Sequence, residues 1–185
     1  MAVIFICMAT SSWIQSSGGQ VAVSKIVLPT QNGQSLAATL FKPISATSDT
    51  PAPFVAVVPG FQRSREALSN IAIELSRRGF VVVSIDPYGQ GSSSSSMSTR
   101  SATYEGYGMF ALIDYVFETD NLNYVDKSRI GATGHSAGGN AAIRGAAYFG
   151  KEASETDSAL SKLHSVYISG YVLTLRNSVL RHVNS

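Results

Sequence analysis

Cysteine is almost absent from this chain: Cys7 is the only one in 185 residues. That excludes an internal disulfide and says little about compartment. Charge is scarce too, at 14% of residues. Fourteen basic and twelve acidic side chains leave a formal net charge of +2, with no long block of either sign. Nucleic-acid binding driven by charge is therefore not expected. The apolar stretch Ala2–Ala9 (AVIFICMA) lacks the basic n-region of a signal peptide. It is also well short of the ~20 residues that cross a bilayer. Histidine is limited to three positions, so a reaction that needs an imidazole base has three candidates.

What is present is apolar residues, 44% of the chain, enough for one globular domain with a real core. The division expected is a tail over residues 1–19 and a domain over 20–185. The tail reads either as the remnant of an export signal or membrane anchor, with weak membrane association, or as a disordered or loosely packed lead. TSSWIQSSGG, which follows the apolar stretch, has the composition of a linker.

Along the domain, QVAVSKIVLP and SLAATLFKP alternate partially around Asn32-Gly33, which suits a tight hairpin turn. Four β-branched apolar runs follow: Phe54–Val58, Phe80–Ile85, Arg129–Thr133 and Ser165–Leu175. Runs without alternation belong to strands covered on both faces, as in a parallel sheet. Helical stripes separate them: Leu68, Ile71, Ala72 and Leu75; Tyr104, Tyr107, Ala111, Leu112 and Tyr115; and the small residues Ala141, Ala142, Gly145 and Ala146. The order β-β-β-α-β-α-β-α-β predicts an α/β fold. Its sheet is mainly parallel, with about six strands, an antiparallel N-terminal hairpin and helices on both faces.

Gly134-His135-Ser136-Ala137-Gly138 spells G-x-S-x-G between the fifth strand and a helix rich in small residues. A nucleophilic serine needs that strand–turn–helix context. The sharp turn lifts its oxygen above the sheet, glycines on either side remove colliding Cβ atoms, and the helix N-terminus with the Ala137 N–H favours an oxyanion. The same residues also fit T-G-x-x-x-G, a dinucleotide turn, but that motif belongs on the first strand of its domain with an acid ending the next. Pro59-Gly60 closes the third strand. The Phe61 N–H beyond it, with Gln62 as second choice, is placed to pair with that of Ala137, because neighbouring parallel strands bring their C-terminal loops together.

VVPGF at this loop, ELSRRGFVVVSIDPYGQGSS around the fourth strand and RIGATGHSAGG at the serine resemble the α/β-hydrolase superfamily over about residues 20 to 180. The proline before Gly60 resembles the variant of cutinase-like and dienelactone-hydrolase-like esterases. The resemblance implies Ser136 as nucleophile, small-molecule carboxylic esters as substrates, no metal and no organic cofactor.

The chain order of that superfamily is Ser, then Asp or Glu, then His, and partners are hard to find here. His135 adjoins the serine, and neighbouring side chains at such a turn point apart. His164 precedes the sixth strand. If that strand runs ten residues at ~3.3 Å each, it stands some 30 Å away. His182 follows the strand on the correct side and reaches Ser136 only through an unusual loop. Glu152, Glu155 and Asp157 lie on the return path below the sheet, and Asp86 reads as a loop-shaping residue. The expectation is a C-terminally truncated copy, an esterase/lipase-type serine hydrolase with an incomplete triad. The alternative is a catalytically silent hydrolase-like binding module. The sixth strand then becomes an apolar edge prone to self-association. The serine-rich stretch Gly89–Thr103 reads as a flexible loop without specific contacts, with the rim of the acyl site as the alternative.

Overall fold

The structure is a computed structural model that describes residues 1–30, 33–94, 103–155 and 161–170. Six strands form one sheet: β1 (Val21–Pro29), β2 (Ser35–Pro43), β3 (Ala52–Val58), β4 (Val81–Ile85), β5 (Val125–His135) and β6 (Ser165–Ser169). Their order across the sheet is β1-β2-β4-β3-β5-β6. β1 and β2 pair antiparallel from Val21↔Pro43 to Pro29↔Ser35, and β2 pairs antiparallel with β4. From β4 through β3 and β5 to β6 every pairing is parallel. The expected class therefore stands, with the antiparallel hairpin on one flank and β6 on the other.

The hairpin turn is wider than two residues. Register ends at Pro29↔Ser35, the Thr30 N–H donates to the Gln34 carbonyl at 2.8 Å, and Gly33 takes φ of 75°. Asn32 lies outside the described residues.

Period-two alternation assigns the two faces. Phe54, Ala56 and Val58 of β3, Val81, Val83 and Ile85 of β4, and Ile130 and Ala132 of β5 share one core with helices α3 (Met109–Glu118) and α4 (Ala137–Glu155). Val55, Val57 and Val82 point the other way, to α2 (Ser69–Arg77) through Ala72, Ile73 and Leu75. On the α2 side a groove of about 770 Å3 lies open over β3, β5 and β6, lined by Ile71, Leu75, Phe80, Arg129, His164 and Tyr167 among others. Among the described residues β6 has a partner on one side only.

Two expectations of helix phase need correction. In α3 the fully buried residues are Met109, Phe110, Leu112, Ile113 and Val116; of the predicted stripe Leu112 is among them, while Tyr107 and Tyr115 pack half-buried against the same core and Ala111 is half-buried. A 3₁₀ turn with positive φ at Gly106, Tyr107 and Gly108 precedes α3 and resets its phase. In α4, Ala141, Ala142 and Phe149 are buried while Ala146 is exposed, because the inward stripe runs through Gly145 to Phe149. A Cβ on Gly145 would press on the Met109 methyl. The lead is helical: α1 (Ala2–Gln15) buries none of its residues. It is held at its C-terminal end, where Arg77 donates to the Ser17 hydroxyl (2.6 Å) and the Ile14 carbonyl (3.2 Å). No described helix is long and apolar enough to cross a membrane.

Candidate active site

β5 ends at His135 and α4 begins at Ala137, so Ser136 alone makes the turn. Its φ is 54°, the left-handed region that costs a non-glycine residue roughly 1–3 kcal/mol. Close packing enforces it. A Cβ on Gly134 would lie 2.5 Å from the Gly138 carbonyl oxygen and 2.8 Å from the Gly139 nitrogen. Two hydrogen bonds fix the turn: the Ser136 N–H donates to the Ser169 carbonyl of β6 (3.1 Å), and the Ser136 carbonyl accepts the Asn140 N–H (3.0 Å). Ser136 itself is exposed, at the N-terminus of a nineteen-residue helix whose dipole and first free N–H groups face outward.

β3 and β5 are neighbours with Val58 opposite Gly134, so the loop leaving β3 abuts this turn. A Cβ on Gly138 would fall into the Val58 carbonyl and lie 2.7 Å from the Pro59 oxygen. One on Gly60 would lie 3.4 Å from the Ser136 Cβ. Phe61 and Gln62 follow, both exposed, with Gln62 at φ of 57°. Neither the Phe61 nor the Ala137 amide has a turn, loop or side-chain acceptor among the described residues. The two N–H groups proposed from sequence thus belong to adjoining turns beside the exposed hydroxyl.

Behind the loop stands an ion pair that sequence reading missed. Arg65 opens a 3₁₀ turn, Arg65–Leu68, and is only 8% exposed; Asp86, just past β4, is 1% exposed. Asp86 Oδ1 accepts the Arg65 N–H (2.7 Å), and Oδ2 accepts Arg65 Nη1 (2.6 Å) and the Ser92 N–H (2.8 Å). The readable signal was an aspartate directly after a fully buried strand. The Glu66 carboxyl, next in line, is held below the usual range, chiefly by the Ser64 hydroxyl and also by Arg65.

The start of the serine-rich stretch is anchored rather than free. Ser93 Oγ donates to the Asp86 carbonyl (2.6 Å) and accepts the Ala37 N–H (2.8 Å), and Ser94 Oγ accepts the Ser35 N–H (2.7 Å). The reason is the open end of β2, whose amides need acceptors there. Residues 95–102 lie outside the described residues.

The described histidines do not serve Ser136. His135 is engaged at the β6 side: its Nδ1 lies 3.4 Å from Ser169 Oγ, and its ring packs between Gly60 and Gly170. His164 sits at the opposite end of the sheet, its Nδ1 accepting the Ile130 N–H at 3.2 Å. The described β6 has five residues, not ten, so the separation along it is nearer ~17 Å than 30 Å, still beyond contact. Glu152 lies far along α4, where its carboxylate bonds Lys162 (3.1 Å). Glu155 ends that helix. His182 and Asp157 lie outside the described residues.

Comparison with known proteins bears on the family and the fold. A model of the family described as PETase: PET hydrolase-like matches residues 7–159. A hypothetical protein from Pseudomonas aeruginosa superposes with a TM-score of 0.64 at 23% identity, over 83% of this chain and 44% of that one. An esterase of Pyrococcus furiosus superposes with a TM-score of 0.56 at 20% identity, over 70% and 48%. A bacterial heroin esterase gives 0.62 at 18%, over 89% and 51%. The chain thus spans about half the length of these structures, and shares their fold.

Proposed function

Because this chain belongs to the PET hydrolase-like family of α/β-hydrolases, we propose that it carries the acyl-transfer site of an esterase-type serine hydrolase, with Ser136 as nucleophile. The observation that carries this reading is the positive φ of Ser136 between β5 and α4, a strained turn of the kind that functional sites retain. Ser136 Oγ adds to the carbonyl carbon of a carboxylic ester as its proton passes to a base. The carbonyl oxygen takes the negative charge between the N–H groups of Phe61 and Ala137. Collapse expels the alkoxide, which takes the proton from the base, and water then releases the acid from the acyl-serine.

The base and its acid are sought outside the described residues. His182 is one candidate there, and a polypeptide supplying the rest of the site is another. One observation favours the silent binding module instead: no described side chain bonds the Ser136 hydroxyl.

Added imidazole separates the two, since a small neutral base near pH 7 can stand in for a missing histidine. The experiment treats the chain with a fluorophosphonate at rising imidazole concentration and reads the adduct by intact mass. An adduct that forms in proportion to imidazole, and is lost in Ser136→Ala, supports the acyl-transfer site. No adduct at any concentration supports the silent module.

A further inference from the structure

We infer that Asp86 is a positioning residue for the oxyanion loop, acting through Arg65, with Gln90 as its auxiliary; this rests on the acyl-transfer reading of Ser136. The loop Pro59–Ser64 is fixed at its two ends and little between. Its start is wedged against the serine turn, where Gly138 leaves no room for a Cβ and Gly60 leaves little. Its far end is Arg65, and Asp86 grips that residue twice, by its backbone N–H and its guanidinium. Ser84 Oγ adds a bond to the Arg65 carbonyl at 3.0 Å. Midway, the Arg63 N–H donates to Gln90 Oε1 (3.0 Å) as well as to the Gly60 carbonyl (3.2 Å). Phe61, 64% exposed, has no comparable tie, so where its amide stands is decided by these anchors.

The segment after β4 is built around the same carboxylate. Asp86 Oδ2 also accepts the Ser92 N–H. Gly91 takes φ of 54° and passes so close that a Cβ would land on the carboxylate. Asp86 and Gln90 thus belong to one loop that holds the oxyanion loop from behind. Neither hydrogen-bonds Ser136 among the described residues. A shift of this loop moves one of two proposed oxyanion donors and leaves the nucleophile, on β5 and α4, where it was.

The test uses the whole chain with fluorophosphonate and imidazole, comparing the parent with Asp86→Asn and Gln90→Ala. Asparagine keeps the shape of Asp86 but turns an NH2 toward groups that donate; the Gln90 substitution removes one half-exposed acceptor and keeps the buried pair. Labelling rate at Ser136 is read with circular dichroism as the control for folding. The 31P resonance of the phosphonyl-serine is compared with its position in denaturant, because it senses hydrogen bonds to the phosphoryl oxygen. Loss of a whole oxyanion donor costs about 100- to 1000-fold. A displaced one is expected to slow labelling about tenfold in the folded variants and to move the resonance toward its denatured position. Purely structural residues would alter melting and leave both unchanged. If Asp86→Asn does not fold, Gln90→Ala decides alone. Labelling at the parental rate with an unmoved resonance overturns the positioning role. No labelling of Ser136 in the parent overturns the acyl-transfer reading and the positioning role with it.

Discussion

Replacing Gly138 by alanine tests how closely the serine turn and the oxyanion loop are fitted. The backbone of Gly138 is not in the left-handed region, so the added methyl brings no dihedral strain, only contact. That contact is with main-chain atoms: the new Cβ would lie 2.6 Å from the Val58 carbonyl carbon and 2.7 Å from the Pro59 oxygen. The Val58 carbonyl oxygen is nearer still, and such atoms rest roughly 3.5 Å apart, so the two turns must part by more than about 1 Å. No side chain can rotate away, and β3 and β5 are held in register on either side. Overpacking of this kind costs about 3 kcal/mol, which for a chain of this size lowers the melting temperature by roughly 6–12 °C. Moving one of the proposed oxyanion donors by about 1 Å costs roughly 100-fold in rate. The assay is thermal unfolding by circular dichroism beside imidazole-dependent phosphonate labelling. A variant that melts and labels like the parent would refute the fitted contact.

Gly150→Ala is expected to do the reverse. It lies within α4 with nothing within 4 Å of its would-be Cβ, and alanine should raise stability by about 0.5–1 kcal/mol in urea unfolding. At the start of β5 the Asp126 carboxyl is held down at about 2, first by the Ser128 hydroxyl and then by Arg129. A depressed folded value means stability that is present above pH ~4 and lost as pH falls through 2. Unfolding free energies from urea titration of the parent and Asp126→Asn should differ by under ~1 kcal/mol at pH 6, since the pair is at the surface, and converge only below pH ~2. The edge of β6, which has no second partner among the described residues and where Tyr167 is 71% exposed, is expected to pair with a second copy. Sedimentation velocity across concentrations should show mass increasing, and a single monomer boundary throughout would count against it.

Period and punctuation carried most of the architecture. The uninterrupted β-branched runs at Phe54–Val58 and Phe80–Ile85 could only be strands covered on both faces, and β3 and β4 are those strands. The glycines around Ser136 were equally readable, since a sharp strand-to-helix turn needs them. What stayed hidden depends on events outside the window being read. The phase of α3 was reset by three positive-φ residues before it, which no stripe count across the junction can register. The exposed Ala146 and buried Phe149 differ by three positions on one helix, a distinction that composition blurs when most of the helix is alanine and glycine. The grip of Asp86 on Arg65 joins residues 21 apart in the chain and becomes visible only when β3 and β4 lie side by side. α1 was obscured by its uniformity, because a segment apolar on all faces has no stripe to find.

The central claim is the proposal that Ser136 is the nucleophile of this fold. Its most direct test is peptide mapping after fluorophosphonate treatment in imidazole. The account predicts one adduct per chain, on the peptide containing Ser136 and absent in Ser136→Ala. Adducts scattered over other serines, or undiminished by that substitution, would contradict it.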